Sequence, residues 1–171
     1  MRCLAAVAVS AFLVSCSNIE TRQVGDGTTQ RFAMSGSMPA KASNDWAAVL
    51  SADLLIGQRA DGSGADFWWG VSLQERVDYI QSVTVYDVTT GPPVLLFEDR
   101  EFSAPGGIWS GETVKRPLNR ESLPWLFEPG DSERVLKFRL RNSIDVEKSL
   151  YQLVRYNAET KAALAQVASG E

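Results

Sequence analysis

The side chains that could do chemistry in this chain are few and widely spaced. Cys16 closes a short apolar run, Leu13-Val14-Ser15-Cys16, and offers a thiol. Trp68 stands next to Trp69 in Phe67-Trp68-Trp69-Gly70. Trp109, Arg116 and Arg120 fall in one long stretch, Ser103 to Pro124, which mixes an aromatic ring with charges of both signs, as recognition surfaces do. Asp61 and Asp66 bracket Gly62-Ser63-Gly64 with oxygen ligands, but their spacing is not that of a calcium-binding loop. Histidine is absent altogether. That removes Ser-His-Asp and Cys-His catalysis and the zinc sites that need imidazole. An enzyme built on this chain would have to use carboxylates, Lys, Tyr or a Ser–Lys pair. No Gly-rich phosphate loop or paired catalytic motif occurs, so no cofactor, no catalytic residue and no metal site is expected.

Cys16 gains its meaning from what precedes it. One basic residue, Arg2, is followed by an apolar run from Leu4 to Val14 that only Ser10 interrupts. Eleven or so residues fall short of the ~20 needed to cross a bilayer as a helix. A basic start, a short apolar core and small Ser15 before the cysteine describe a secretory signal peptide, residues 1–15. With Leu13 three places before Cys16, the stretch resembles the lipobox of bacterial lipoproteins. That resemblance covers only the first seventeen residues or so. It implies cleavage before Cys16, diacylation of its thiol, palmitate or a similar chain on the new amino group, and attachment to the cell envelope. Each buried CH₂ contributes ~0.8 kcal/mol, so several chains anchor far more firmly than one. In such lipoproteins Asp after the cysteine commonly means inner-membrane retention. Ser17 stands there, which by resemblance favours the outer membrane, facing the periplasm.

Composition bounds the remainder. Cys3 leaves with the signal peptide and Cys16 carries lipid, so the mature chain has no thiol to pair. The domain must hold itself by its core, and 44% hydrophobic residues with five Trp and seven Phe supply one. Loss of Arg2 leaves 16 basic against 21 acidic side chains, a net charge of −5. A mildly acidic chain without basic clusters is a poor partner for nucleic acid.

From Ser17 to Asp45 the chain is rich in Ser, Gly, Thr and Asn, and residues 16–45 read as a flexible tether with a span on the order of 30 Å. Within it, Arg31-Phe32-Ala33-Met34 could add an edge strand. Residues 46–171 then form one domain. Trp46 to Gln58 reads as helix in its first half and strand in its second, with Trp46, Val49, Leu50 and Leu54 on the helical face. Clean alternation follows: Phe67, Trp69, Val71 and Leu73 on one face, Trp68, Gly70, Ser72 and Gln74 on the other. Further strands are expected at Tyr79 to Val88, Val94 to Arg100, near Thr113 to Arg116, at Leu136 to Arg141, and at Leu150 to Tyr156. Turns are expected at Thr89 to Pro93, Pro129-Gly130-Asp131 and Asn142 to Asp145, and Trp125 beside Pro124 is expected in the core. Ala162 to Val167 is either a last strand or part of a helix capped by Asn157. Seven or so short strands separated by turns predict a mainly β fold, an antiparallel β-sandwich loosely immunoglobulin-like, with at most one or two short helices.

On this frame Trp68 and Trp69 must point to opposite faces. If Trp69 is core, Trp68 stands on the polar face, free to bind a ligand or a protein partner, or covered by the tether or by the long stretch from Ser103 to Pro124. Trp109 either joins a recognition surface or plugs one end of the sandwich. Lys137, Arg139 and Arg141 make a basic stripe, which Glu98, Asp99 or Glu101 would neutralise across a sheet. The sequence therefore predicts a membrane-tethered, non-enzymatic module that binds another envelope protein, with Trp68, Trp109, Arg116 and Arg120 as the contact candidates. The alternative is a glycan- or peptidoglycan-binding module that stacks sugars on its exposed Trp. A carboxylate-based hydrolase is the remote third reading.

Overall fold

The computed structural model describes residues 18–122 and 132–169. Cys16, Trp125 and the Pro129-Gly130-Asp131 turn lie outside them. In chain order the strands are β1 (Asn18–Gln23), β2 (Thr29–Ser35), β3 (Met38–Pro39), β4 (Ala47–Gln58), β5 (Ala65–Glu75), β6 (Ile80–Asp87), β7 (Val94–Asp99), β8 (Ile108–Glu112), β9 (Arg116–Pro117), β10 (Glu133–Asn142) and β11 (Glu147–Arg155). Among the described residues a single α-helix, α1 (Ala158–Ser169), follows. All pairings between strands are antiparallel.

Two sheets make the sandwich. One has the order β4-β5-β8, with β9 also beside β5, and the other has the order β11-β10-β6-β7. The alternation seen in the sequence builds both. Phe67, Trp69, Val71 and Leu73 of β5 are buried, as are Leu136, Phe138 and Leu140 of β10. They meet Val83 and Val85 of β6 and Leu150 and Val154 of β11 in one continuous core. Each such side chain contributes about 1.5–3 kcal/mol by leaving water. The mainly β sandwich expected from the pattern is what the chain forms.

Three local expectations give way, and one open alternative is resolved. Trp46 to Gln58 holds no helix: Ala47 to Gln58 is one long strand, broken in register between Val49 and Ser51. Leu50 is the extra residue of that bulge, and it turns outward to solvent. The strand placed near Thr113 to Arg116 is instead β8, which begins at Ile108, followed by a short link and β9. At the C-terminus the helical alternative holds and the strand does not. The Asn157 side chain accepts from the Thr160 amide at 2.7 Å, and Leu164 is fully buried in the main core. The third correction is the largest.

Residues 18–39 are not a loose tether but a third, three-stranded sheet, β1-β2-β3. It covers part of the outer face of the β11-β10-β6-β7 sheet. Val24, Phe32 and Met34 pack there on Val88, Val135 and Leu153. Charges complete the join. Arg22 and Arg155 each pair with both Glu20 and Glu133, closing a ring of four at 2.7–3.1 Å. Asp26 accepts from Lys137 at 2.9 Å and from the Tyr151 hydroxyl at 2.7 Å. The hairpin tip is wedged as well. The Gly25 amide donates to the Val88 carbonyl at 2.7 Å, and a Cβ on Gly25 would sit 2.0 Å from the Gly91 carbonyl oxygen.

Candidate docking groove

The four contact candidates do not converge. Trp109 lies in β8 and is buried, so it is no stacking platform. Its ring stacks on Phe102 and leans on Phe97, both with centroids 5.8 Å away, and its Nε1 donates to Asp99 at 2.8 Å. Arg120 donates to the Ala168 carbonyl at 3.4 Å, at the C-terminal end of α1. Trp68 does stand on the outer face of β5, opposite Trp69. Its ring rests against Gly57, where a Cβ would come within 3.0 Å of it. Lys115 covers the ring, with Nζ 4.4 Å from the centroid. The Trp68 Nε1 is buried without a hydrogen-bond partner. Of the two readings of Trp68, the ring is therefore covered, and by the long stretch from Ser103 to Pro124 that carries Lys115.

Alternation along the link from β8 to β9 explains this separation. Lys115 turns to the Trp68 side, while Val114 and Arg116 turn to the seam between the two sandwich sheets. There, Phe67, Trp69, Val94, Leu95, Leu96 and Thr113 join them around a cavity of about 120 Å³. Thr113 holds the floor in register: its amide donates to the Trp69 carbonyl at 3.0 Å, and its hydroxyl accepts from the Trp69 amide at 2.9 Å. Apolar side chains stay uncovered at the rim, Leu95 at 56% exposure and Val114 at 81%. Beside them runs β7, the last strand of its sheet, whose far edge has no partner strand among the described residues. Among the described residues Arg116 forms no ion pair. Its guanidinium is available at the mouth of an apolar pocket.

The other charged candidates are internally satisfied. Asp66 pairs with Arg59 at 2.6 Å, and Asp61 accepts from Ser63 within a turn. Their carboxylates therefore serve local structure. The basic stripe of β10 is neutralised, though not by the expected residues. Lys137 meets Asp26, Arg141 meets Glu147 at 2.9 Å, and Arg139 lies over the Tyr86 ring. Glu98 instead pairs with Arg100, and Asp99 serves Trp109. Glu98, Arg100, Arg139 and Arg141, with Ser82 and Thr84, line a polar groove of about 520 Å³ on that sheet. Glu75 is the one carboxylate among the described residues pushed upward in pKa, first by burial and then by Asp78. No group of three or more Asp, Glu, His or Cys side chains among the described residues could hold a metal ion. Nor is any described helix long and apolar enough to cross a membrane.

Val94, Leu95 and Val114 were absent from the sequence-derived candidates. Their only signal was position, directly after Pro92-Pro93 and inside the long irregular stretch. The chain matches no family model, and no curated protein or solved structure matches it.

Proposed function

We propose that this chain is a lipid-anchored envelope lipoprotein whose β-sandwich is a non-enzymatic docking module for another protein. The observation that carries the docking part is the open seam: an unpartnered β7 edge beside an apolar pocket with an unpaired Arg116 at its mouth. Exposed sheet edges with apolar side chains are templates for strand addition by another chain. A partner segment lying along β7 would gain main-chain hydrogen bonds from the edge. One of its apolar side chains would fill the pocket, and a carboxylate would meet Arg116. The lipobox resemblance at Cys16 supports the anchor, and with it the envelope as the place of action.

Two measurements test the two halves separately. Cys16→Ser is expected to abolish radiolabelled palmitate incorporation and release the protein from the membrane fraction; a variant that stays labelled and membrane-bound overturns the anchor. For docking, a photo-cross-linker at Val114 in intact cells is expected to trap one envelope protein. Leu95→Asp should lower that yield about tenfold or more, since burying a leucine contributes roughly 1.5–3 kcal/mol. Its melting temperature should stay near that of the parent. Equal trapping with and without Leu95→Asp counts against the seam as the docking site.

A further inference from the structure

The third sheet has two faces of opposite character. Its inward face carries the four-charge ring and the apolar residues that join it to the sandwich. Its outward face is built by Ile19, Thr21, Gln23, Thr29, Arg31, Ala33, Ser35 and Met38, all exposed. That face contains no carboxylate in a chain whose overall charge is −4. Ile19 is 52% exposed and Met38 is 57% exposed, and both lie toward the end of the sheet where β1 begins. Arg31 is on the same face, and Lys41 lines one groove of about 350 Å³ with it. Among the described residues neither cation is in an ion pair.

From these placements we infer that the outward face of the β1-β2-β3 sheet is a membrane-contacting surface that lies on anionic phospholipid headgroups. The inference rests on the acylation of Cys16 and adds an orientation to it. β1 begins at Asn18, so one residue, Ser17, separates the acylated cysteine from the first strand. Two extended residue steps reach about 7 Å, on the order of the depth of one headgroup layer. The sheet end is therefore held against the bilayer, and a 30 Å standoff is excluded by the same count. Exposed Ile19 and Met38 can enter the interface there. Arg31 and Lys41 add roughly fivefold each to the docked population on an anionic surface. Amphipathic apolar-and-basic faces of this kind lie in the headgroup boundary.

The test uses the acylated full chain, purified and reconstituted into vesicles of phosphatidylethanolamine with phosphatidylglycerol that carry a nitroxide on the headgroup. Once Cys3 has left with the signal peptide and Cys16 is acylated, the mature chain has no other thiol, so Met38→Cys and, separately, Ser110→Cys on β8 can each take one fluorophore. Palmitate incorporation is measured on the same samples. The expected result is strong quenching at position 38 and little at position 110. Adding Arg31→Ala and Lys41→Ala should lower the docked-to-undocked ratio about 30-fold, with the melting temperature unchanged, and phosphatidylcholine vesicles should act in the same direction. Equal quenching at both positions in acylated protein overturns the docking face and leaves the anchor standing. Absence of palmitate overturns the anchor, and the docking face with it.

Discussion

Trp109→Ala is expected to destabilise the protein by about 3–5 kcal/mol, as truncation of a buried Trp or Phe does. At about 2–4 °C per kcal/mol for a domain of this size, the melting temperature should fall by roughly 10 °C. The indole is 3% exposed and wedged between Phe97 and Phe102. Its strand neighbour Gly111 leaves the space it fills, since a Cβ there would lie 2.8 Å from the ring. β8 is only five residues long and sits at a sheet edge, so this ring is the main apolar hold on it. Trp109→Phe should cost less through packing, but it strips Asp99 of the 2.8 Å indole hydrogen bond, at about 1 kcal/mol. Urea denaturation of the three proteins checks the order. A Trp109→Ala variant as stable as the parent would put the ring outside the core. Until that comparison is made, a binding defect in a Trp109 variant reports folding rather than contact.

Asp26→Asn should be the second most damaging change, by about 2–4 kcal/mol at neutral pH. Breaking a buried ion pair costs about 3–5 kcal/mol because the remaining charge is stranded. The lower figure allows for the side chain of Lys137, which keeps 23% exposure. Burial alone would raise the Asp26 pKa. Hydrogen bonds from Thr28, Lys137 and Tyr151 outweigh it and hold the carboxyl well below the usual carboxylate range. Burial likewise opposes, and Arg155 and Arg22 reverse, the shift at Glu133, whose pKa is also lowered. For a carboxylate depressed on folding, the stabilisation is fully present above the unfolded value of about 4 and is lost as pH falls through the folded one. The wild type should therefore weaken steadily below about pH 4, and the third sheet should loosen first. Asp26→Asn should be weaker at pH 7 and show a shallower acid slope, with Glu133 supplying what remains. Urea titrations at neutral and acid pH measure both quantities. An Asn variant with the parent's stability at pH 7 and the parent's full slope would show that the contact stabilises nothing.

Which parts of this architecture were legible in the chain follows from how local their causes are. β5 and β10 announce themselves because each alternates over several residues with no irregularity among its core positions. β4 hides because the bulge at Leu50 shifts the alternation by one, so Val49 and Ala52 are both buried with two residues between them. That spacing imitates a helical face. The third sheet hides for a different reason. It buries only Val24, Phe32 and Met34 and relies on Glu133, Lys137, Tyr151 and Arg155, more than a hundred residues away in the chain. A polar segment whose partners are that distant has the composition of a linker. The indole of Trp68 was placed on the correct face and the long stretch was named among its possible covers, but no local pattern singles out Lys115 as the residue that does it. The seam was illegible because it depends on which strand ends at the sheet edge, which is a property of topology.

The ring that joins Glu20 and Arg22 to Glu133 and Arg155 also fixes an order of events. Its members are up to 135 residues apart, and β11 is the last strand to be synthesised. The first three strands therefore cannot dock until nearly the whole chain has emerged. Through most of synthesis the beginning of the chain remains an unfolded, accessible segment, and it becomes part of a rigid body only when the end arrives. For the acylation proposed at Cys16, two positions before the first strand, this timing would leave the site open until the final strand closes over its neighbours.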